Sequence, residues 1–161
     1  MYKKLRDLPA PQGLYDPAYE HDACGIGFVV NIKGKKSYDI LDQALTILEN
    51  LKHRGAEGAD AKSGDGAGIL VQIPHQFFCR ECEVLGFSLP AAGDYGVGMI
   101  FAHRYETFRK QQMAEFEAIV RSEGLSVLGW RDVPVDESLI GSIAKTTRPH
   151  FLQVFIRRSD A

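Results

Sequence analysis

The stretch Asp22-Ala23-Cys24-Gly25-Ile26-Gly27-Phe28 sets a thiol between a polar leader and the first apolar, alternating run of the chain. Cleavage after Ala23 would make Cys24 the N-terminal residue, carrying a thiol and an α-amine with ordinary pKa values of about 8.5 and about 8. The amine then acts as the thiol's own base. A free cysteine is more often a small buried hydrophobe, so this pattern makes Cys24 a candidate nucleophile without naming a substrate. Lys52-His53-Arg54-Gly55 is the second stretch of interest. Basic residues before a glycine suit the C-terminal end of a helix, where capping is their ordinary role. Their possible chemistry lies in location. A helix packed on the first strand brings its C-terminal end towards the start of that strand, where Cys24 lies, and Arg54 would then position a carbonyl or a substrate.

Two further patterns invite chemistry and lose it on spacing. Cys79 and Cys82 form a lone C-x-x-C, a pattern shared by redox couples and half zinc sites, but a tetrahedral metal site needs two more ligands, and no second C-x-x-C or H-x3-H follows. They read as paired structural thiols, and no metal is expected. Gly64-Asp65-Gly66-Ala67-Gly68 resembles a phosphate loop in composition, yet it leads into an apolar run rather than a helix and lacks the Gly-Lys-Ser/Thr ending. A tight turn is the better reading.

These groups need a scaffold, and the chain can supply one. With 161 residues, 45% hydrophobic and 25% charged, it is long enough for one domain with a real core and is neither disordered nor membrane-spanning. A formal net charge of -2 leaves no electrostatic footprint for nucleic acid or an anionic membrane, so small molecules or proteins are the expected partners. Three cysteines do not make a disulfide framework, which favours a reducing, cytoplasmic setting. The leader, Met1 to Ala23, has Lys3, Lys4 and Arg6 but is broken by Pro9, Pro11 and Pro17 and has no apolar h-region. It is not a secretory signal; a short propeptide and an extended arm both remain open.

Ile26, Phe28, Val30 and Ile32 alternate with smaller residues, which predicts a strand whose glycine face admits close approach. Ser37 is a plausible N-cap for a helix with the stripe Leu41, Ala44, Leu45, Leu48 and Leu51. Ile69 to Ile73 and Tyr95 to Ala102 read as strands, Tyr105 to Glu123 as a helix ended by Gly124, and Leu125 to Trp130 and Phe151 to Ile156 as further strands. Leu139, Ile140, Ile143 and Ala144 mark a short helix finishing before Arg148-Pro149. This mixed order favours an α+β layered sandwich over a doubly wound fold.

Cys24-Gly25-Ile26-Gly27-Phe28 followed by Leu51-Lys52-His53-Arg54-Gly55-Ala56 resembles the opening of class II glutamine amidotransferases. The longer match runs through Gly58-Ala59-Asp60, Gly64 to Leu70, Gln72-Ile73-Pro74-His75, Tyr95 to Met99, Leu128 to Pro134 and Gln153-Val154-Phe155. It is similar to the glutamate synthases in particular. The resemblance implies an N-terminal nucleophile hydrolase, a four-layer αββα sandwich incomplete in this chain, with residues 1–23 a leader and 24–161 the N-terminal part of the amidotransferase domain. It implies Cys24 as catalytic nucleophile, Arg54 as a substrate-binding residue lining the site, His53 as structural, and L-glutamine as substrate. Alternatives are a truncated or unprocessed non-catalytic domain and the glutaminase domain of another class II amidotransferase. The family's oxyanion-hole and glutamine-clamping groups come from segments later than Ala161, so an isolated piece is expected to be a poor glutaminase. FMN and an iron-sulfur cluster are implied for the full-length family protein and neither for this segment. The implied partners are the remaining synthase domains and an electron donor.

Overall fold

The computed structural model describes residues 10–13, 25–51, 60, 62–64 and 66–158, which belong to two compact units, Met1–Gly55 and Ala56–Ala161. In the first, Asn31 makes a turn. Its carbonyl accepts from the Gly34 N–H at 2.8 Å and its side chain from the Lys33 N–H at 2.9 Å. Gly34 completes it at a φ of 66°, a conformation that side chains resist. Ser37 then caps helix α1, Tyr38–Asn50, its hydroxyl accepting from the Ile40 N–H at 3.4 Å. The inward stripe is Ile40, Leu41, Ala44, Ile47, Leu48 and Leu51, whereas Leu45, expected in it, is exposed.

The strand expected over Ile26 to Ile32 is not formed. Residues 25–31 are without a ladder partner among the described residues, and Ile26, Phe28, Val30 and Ile32 face outward. A strand exists only through its neighbour's hydrogen bonds. The glycine face does admit close approach, but by helix side chains. A Cβ on Gly25 would sit 3.0 Å from Leu51 Cδ2, and one on Gly27 would collide with Ile47 Cγ2.

The second unit runs α2 (His75–Val84), β1 (Gly96–Ala102), α3 (Glu106–Ser122), β2 (Leu125–Asp132), α4 (Ser142–Thr147) and β3 (His150–Arg158). Its three strands form an antiparallel sheet in the order β1-β3-β2. The register aligns Val97, Phe155 and Gly129 across one face and Gly98, Val154 and Trp130 across the other. On the first face Phe78 and Cys82 of α2 meet Phe155, with Tyr95, Phe87 and Leu128 closing a core around its ring. On the second, α3 is fixed by the edge-on packing of Phe116 against Trp130, 5.5 Å between ring centroids. Gly124, at φ 70°, ends that helix as expected.

Three expected strands thus form, each close to its expected bounds, and the α+β class holds. The strand expected over Ile69 to Ile73 does not: this stretch is irregular, and Ile69, Leu70 and Val71 are exposed while Ile73 packs on the core. Helix α2 was not anticipated, because its two buried residues, Phe78 and Cys82, give a stripe too thin to show as a period. α4 starts at Ser142, later than the Leu139 expected.

Candidate active site

Cys24, His53 and Arg54 lie outside the described residues, as do Gly58, Ala59 and Asp65 of the longer motifs. Their described neighbours are informative. Gly25, which follows Cys24 in sequence, packs on Leu51, three positions before Arg54. A Cβ at position 25 would sit 3.0 Å from Leu51 Cδ2, so a side chain there would require the Leu51 methyls to give by a few tenths of an ångström. The two motifs singled out for chemistry therefore converge at their described flanks within the first unit.

In the second unit the motif residues hold the scaffold. Asp60 accepts from the Ile143 N–H at 3.3 Å and the Ser142 hydroxyl at 3.4 Å, and Ser63 accepts from the Ala144 N–H at 3.3 Å, so loop residues cap α4. Gly141 is obligatory there, because a Cβ would overlap Asp60 and Ser63. Desolvation raises the Asp60 pKa, but hydrogen bonds from the Ile143 N–H, the Ser63 hydroxyl, the Lys62 N–H and the Ser142 hydroxyl outweigh it and leave the carboxyl below its ordinary value.

The run Trp130-Arg131-Asp132 works the same way. Trp130 Nε1 donates to Glu117 Oε1 at 2.8 Å, tying β2 to α3. Arg131 is buried and donates twice to Glu81 Oε2, from Nη2 at 2.6 Å and Nε at 3.0 Å, and from Nη1 to Gln153 Oε1 at 3.0 Å. It also lies over the Phe77 ring, 5.4 Å from its centroid. Asp132 pairs with His150 on β3.

His75, Cys79 and Tyr95 form a polar cluster that the sequence does not single out. The Tyr95 hydroxyl lies 3.0 Å from His75 Nδ1, and Cys79 Sγ lies 3.5 Å from Nε2. Helical spacing of His75 and Cys79 is the signal that would have shown it, had α2 been recognised. Burial, then the Cys79 charge, then the Cys82 charge push the Tyr95 phenol up. Burial, reinforced by the Cys79 charge, pushes the Cys82 thiol up to about 11. Among the described residues no group of three or more His, Cys, Asp or Glu is placed to hold a metal ion. An apolar groove of about 280 Å³ between α3 and the sheet, lined by Ile100, Met113, Phe116 and Trp130, offers no comparable polar cluster.

Comparison with known proteins decides the family. The family model for "Glutamine amidotransferases class-II" matches residues 24–161. The chain belongs to the class II glutamine amidotransferases. It is 48% identical over 153 residues to the glutamate synthase [NADPH] large chain of Bacillus subtilis, covering 95% of this chain and 10% of that protein. It is 46% identical over 151 residues to the glutamate synthase [NADH] of Saccharomyces cerevisiae, covering 91% and 7%. It is 42% identical over 149 residues to the chloroplastic ferredoxin-dependent glutamate synthase 2 of Arabidopsis thaliana, covering 91% and 9%. This amidotransferase chain thus spans at most 10% of the length of these relatives. Among the described residues no helix is long and apolar enough to cross a membrane.

Proposed function

We propose that this chain is the leading part of the glutaminase domain of a cytoplasmic glutamate synthase, with residues 1–23 a leader and Cys24 the nucleophile of a four-layer αββα sandwich. The observation that carries the reading is the packing of Gly25 on Leu51, which draws the flank of the Cys24 motif to the flank of the Arg54 motif. The family match, which opens on Cys24, supports it as well.

In this reading removal of the leader frees the Cys24 amine, which takes the thiol proton near neutral pH. Arg54 lines the site, where its guanidinium favours the thiolate. The thiolate attacks the side-chain amide of L-glutamine to give a tetrahedral oxyanion, which expels ammonia and leaves a γ-glutamyl thioester. Water then releases glutamate. Oxyanion-hole donors, each worth about a hundredfold or more in rate, come from other segments of the domain.

The FMN and iron-sulfur groups of the full-length family protein, which use the ammonia to make glutamate from 2-oxoglutarate, belong with other domains and an electron-donating partner. The donor set described here does not fit a cluster, since Cys82 is sealed in the core between Phe78 and Phe155. No step runs through either group.

The test is the N-terminal residue of the protein purified from its natural source, read with its labelling by a glutamine-mimicking electrophile. The expected result is cysteine first, one label per chain at Cys24, and loss of both labelling and glutaminase activity in Cys24→Ala. Met1 or Tyr2 first, with Cys24 unlabelled, would make this an unprocessed, non-catalytic domain.

A further inference from the structure

We propose that Cys79 and Cys82 form a peroxide-responsive thiol pair, in which His75 readies Cys79 for oxidation and Cys82 resolves the oxidised sulfur into a reversible disulfide. His75, Cys79 and Cys82 recur at four- and three-residue spacing on α2 and so share one helix face. Both cysteines are free thiols in different surroundings: Cys79 is half-buried and reachable, whereas Cys82 is fully buried against Phe78, Tyr95 and Phe155.

Tyr95 orders the cluster. Its buried phenol lies 3.0 Å from His75 Nδ1 and holds the imidazole beside Cys79, whose Sγ is 3.5 Å from Nε2 and 3.8 Å from Nδ1 of the same ring. An imidazole in contact with a sulfur supports its thiolate, the form that reacts. Cys82 is sealed in the core, where burial also holds its thiol up at about 11, whereas Cys79 is half-buried; peroxide therefore meets Cys79 first and the roles are not interchangeable.

The chemistry needs one hydroperoxide. The Cys79 thiolate attacks a peroxide oxygen, the O–O bond breaks, and hydroxide leaves to become water, giving Cys79 sulfenic acid. The Cys82 sulfur attacks the sulfenic sulfur, the S–O bond breaks, and a second water departs with the thiol proton. Two thiols lose two electrons, and one hydrogen peroxide becomes two waters.

Closure also has a structural cost that can serve as a signal. Side chains three apart on a helix have Cβ atoms about 5–6 Å apart, against about 3.5–4.5 Å across a disulfide. The last turn of α2 must tighten towards 3₁₀ geometry. It is near its end there, and the Gly86 N–H already donates to the carbonyl three residues back, at 3.1 Å to Glu83. The turn carries Glu81, the partner of Arg131, so oxidation loosens α2 on the sheet.

The experiment uses the full chain carrying Cys24→Ser, which leaves these two cysteines. It is treated with hydrogen peroxide, alkylated with iodoacetamide and digested with trypsin. Cleavage after Arg80 separates the cysteines onto Ser63–Arg80 and Glu81–Arg104, so the disulfide appears as a linked peptide pair that dithiothreitol dissolves. In Cys82→Ser the reaction stops at a dimedone-trappable sulfenic acid on Cys79. In His75→Gln, linkage slows roughly fivefold to tenfold, about the worth of one polar contact to the reacting sulfur. The proposal is overturned if both cysteines remain alkylatable after peroxide, if Cys79 proceeds to sulfinic acid unlinked, or if folded His75→Gln reacts at the original rate. None of these results involves Cys24, so this inference and the glutaminase reading fail separately.

Discussion

The ion pair between Arg131 and Glu81 gives a sharp quantitative expectation, because its two halves see different amounts of water. The Arg131 side chain keeps 10% of its surface and Glu81 keeps 38%. Removing the carboxylate by Glu81→Ala leaves a guanidinium buried against Phe77 with Gln153 as its remaining hydrogen-bond partner. Stranding a buried charge costs about 3–5 kcal/mol. Partial solvation of this pair puts the value near the lower end, about 3 kcal/mol. Arg131→Met is the contrasting change. It keeps the apolar stem that fills the space beside Phe77, and it leaves Glu81, which water can reach, so its cost is about 1 kcal/mol.

The double variant Glu81→Ala/Arg131→Met strands nothing and should cost about 1.5 kcal/mol, a coupling energy of about 2.5 kcal/mol, within the range measured for contacting residues. Thermal unfolding followed by far-ultraviolet circular dichroism reads this directly. At about 3 °C per kcal/mol for a chain of this size, the expected Tm losses are about 9 °C, about 3 °C and about 5 °C. Two results would refute the reasoning: Arg131→Met costing more than Glu81→Ala, or additive losses in the double variant. Either would mean that stem packing, rather than an unpaired charge, holds α2 to β2.

Other expectations follow from single contacts. Gly129→Ala pushes a methyl into the Phe87 ring, where its Cβ would lie 2.6 Å from Cε1, and should cost about 1–3 kcal/mol in urea unfolding; Phe87→Val in the same chain should recover part of that loss. Stability should fall with alkaline pH through Cys82. Its folded pKa is raised from 9.0 to about 11, so its contribution is complete below about pH 9 and is lost as the pH rises towards 11, the unfolded thiol ionising first. Urea midpoints at about pH 8 and about pH 10.5 measure this, and Cys82→Ala should remove the part of the slope due to this thiol. Asp60 has the opposite sign. Its lowered pKa stabilises the fold above about pH 4 and is lost on acidification, so Asp60→Asn should speed hydrogen exchange at the Ile143 amide at neutral pH and weaken its acid dependence.

What the sequence revealed divides along physical lines. α1 and α3 carry their own signals, a capping serine before a long stripe in one and a terminal glycine after a long stripe in the other, so their bounds came out nearly right. β1, β2 and β3 were legible because each alternates and finds its partner in the same unit. Ile26 to Ile32 and Ile69 to Ile73 alternate or cluster as strongly, but a ladder is made by two strands, and a pattern in one cannot say whether the other is at hand. α2 failed for the opposite reason. Its helix is fixed by tertiary contacts, Phe78 and Cys82 beneath Phe155 and Glu81 on Arg131, with little local period to announce them.

The same distinction bears on the motifs that carried the family resemblance. Those of the second unit are specific, yet the described residues put Trp130, Arg131 and Asp132 each on a partner from a different element, Glu117 of α3, Glu81 of α2 and His150 of β3. Three consecutive residues can meet three elements because neighbours on a strand point to opposite faces, while the strand's own register reaches the third. Such a run is recognisable for its joinery, and substituting it should change stability before chemistry. Cys24 and Arg54 differ in kind: their recognition rests on residue types that can do a reaction, and the described contact nearest to both in sequence is that of Gly25 with Leu51. Under the proposed glutaminase reading, a residue at position 25 too large for the Leu51 methyls to yield to should lower the glutaminase rate while the sheet of the second unit keeps its stability.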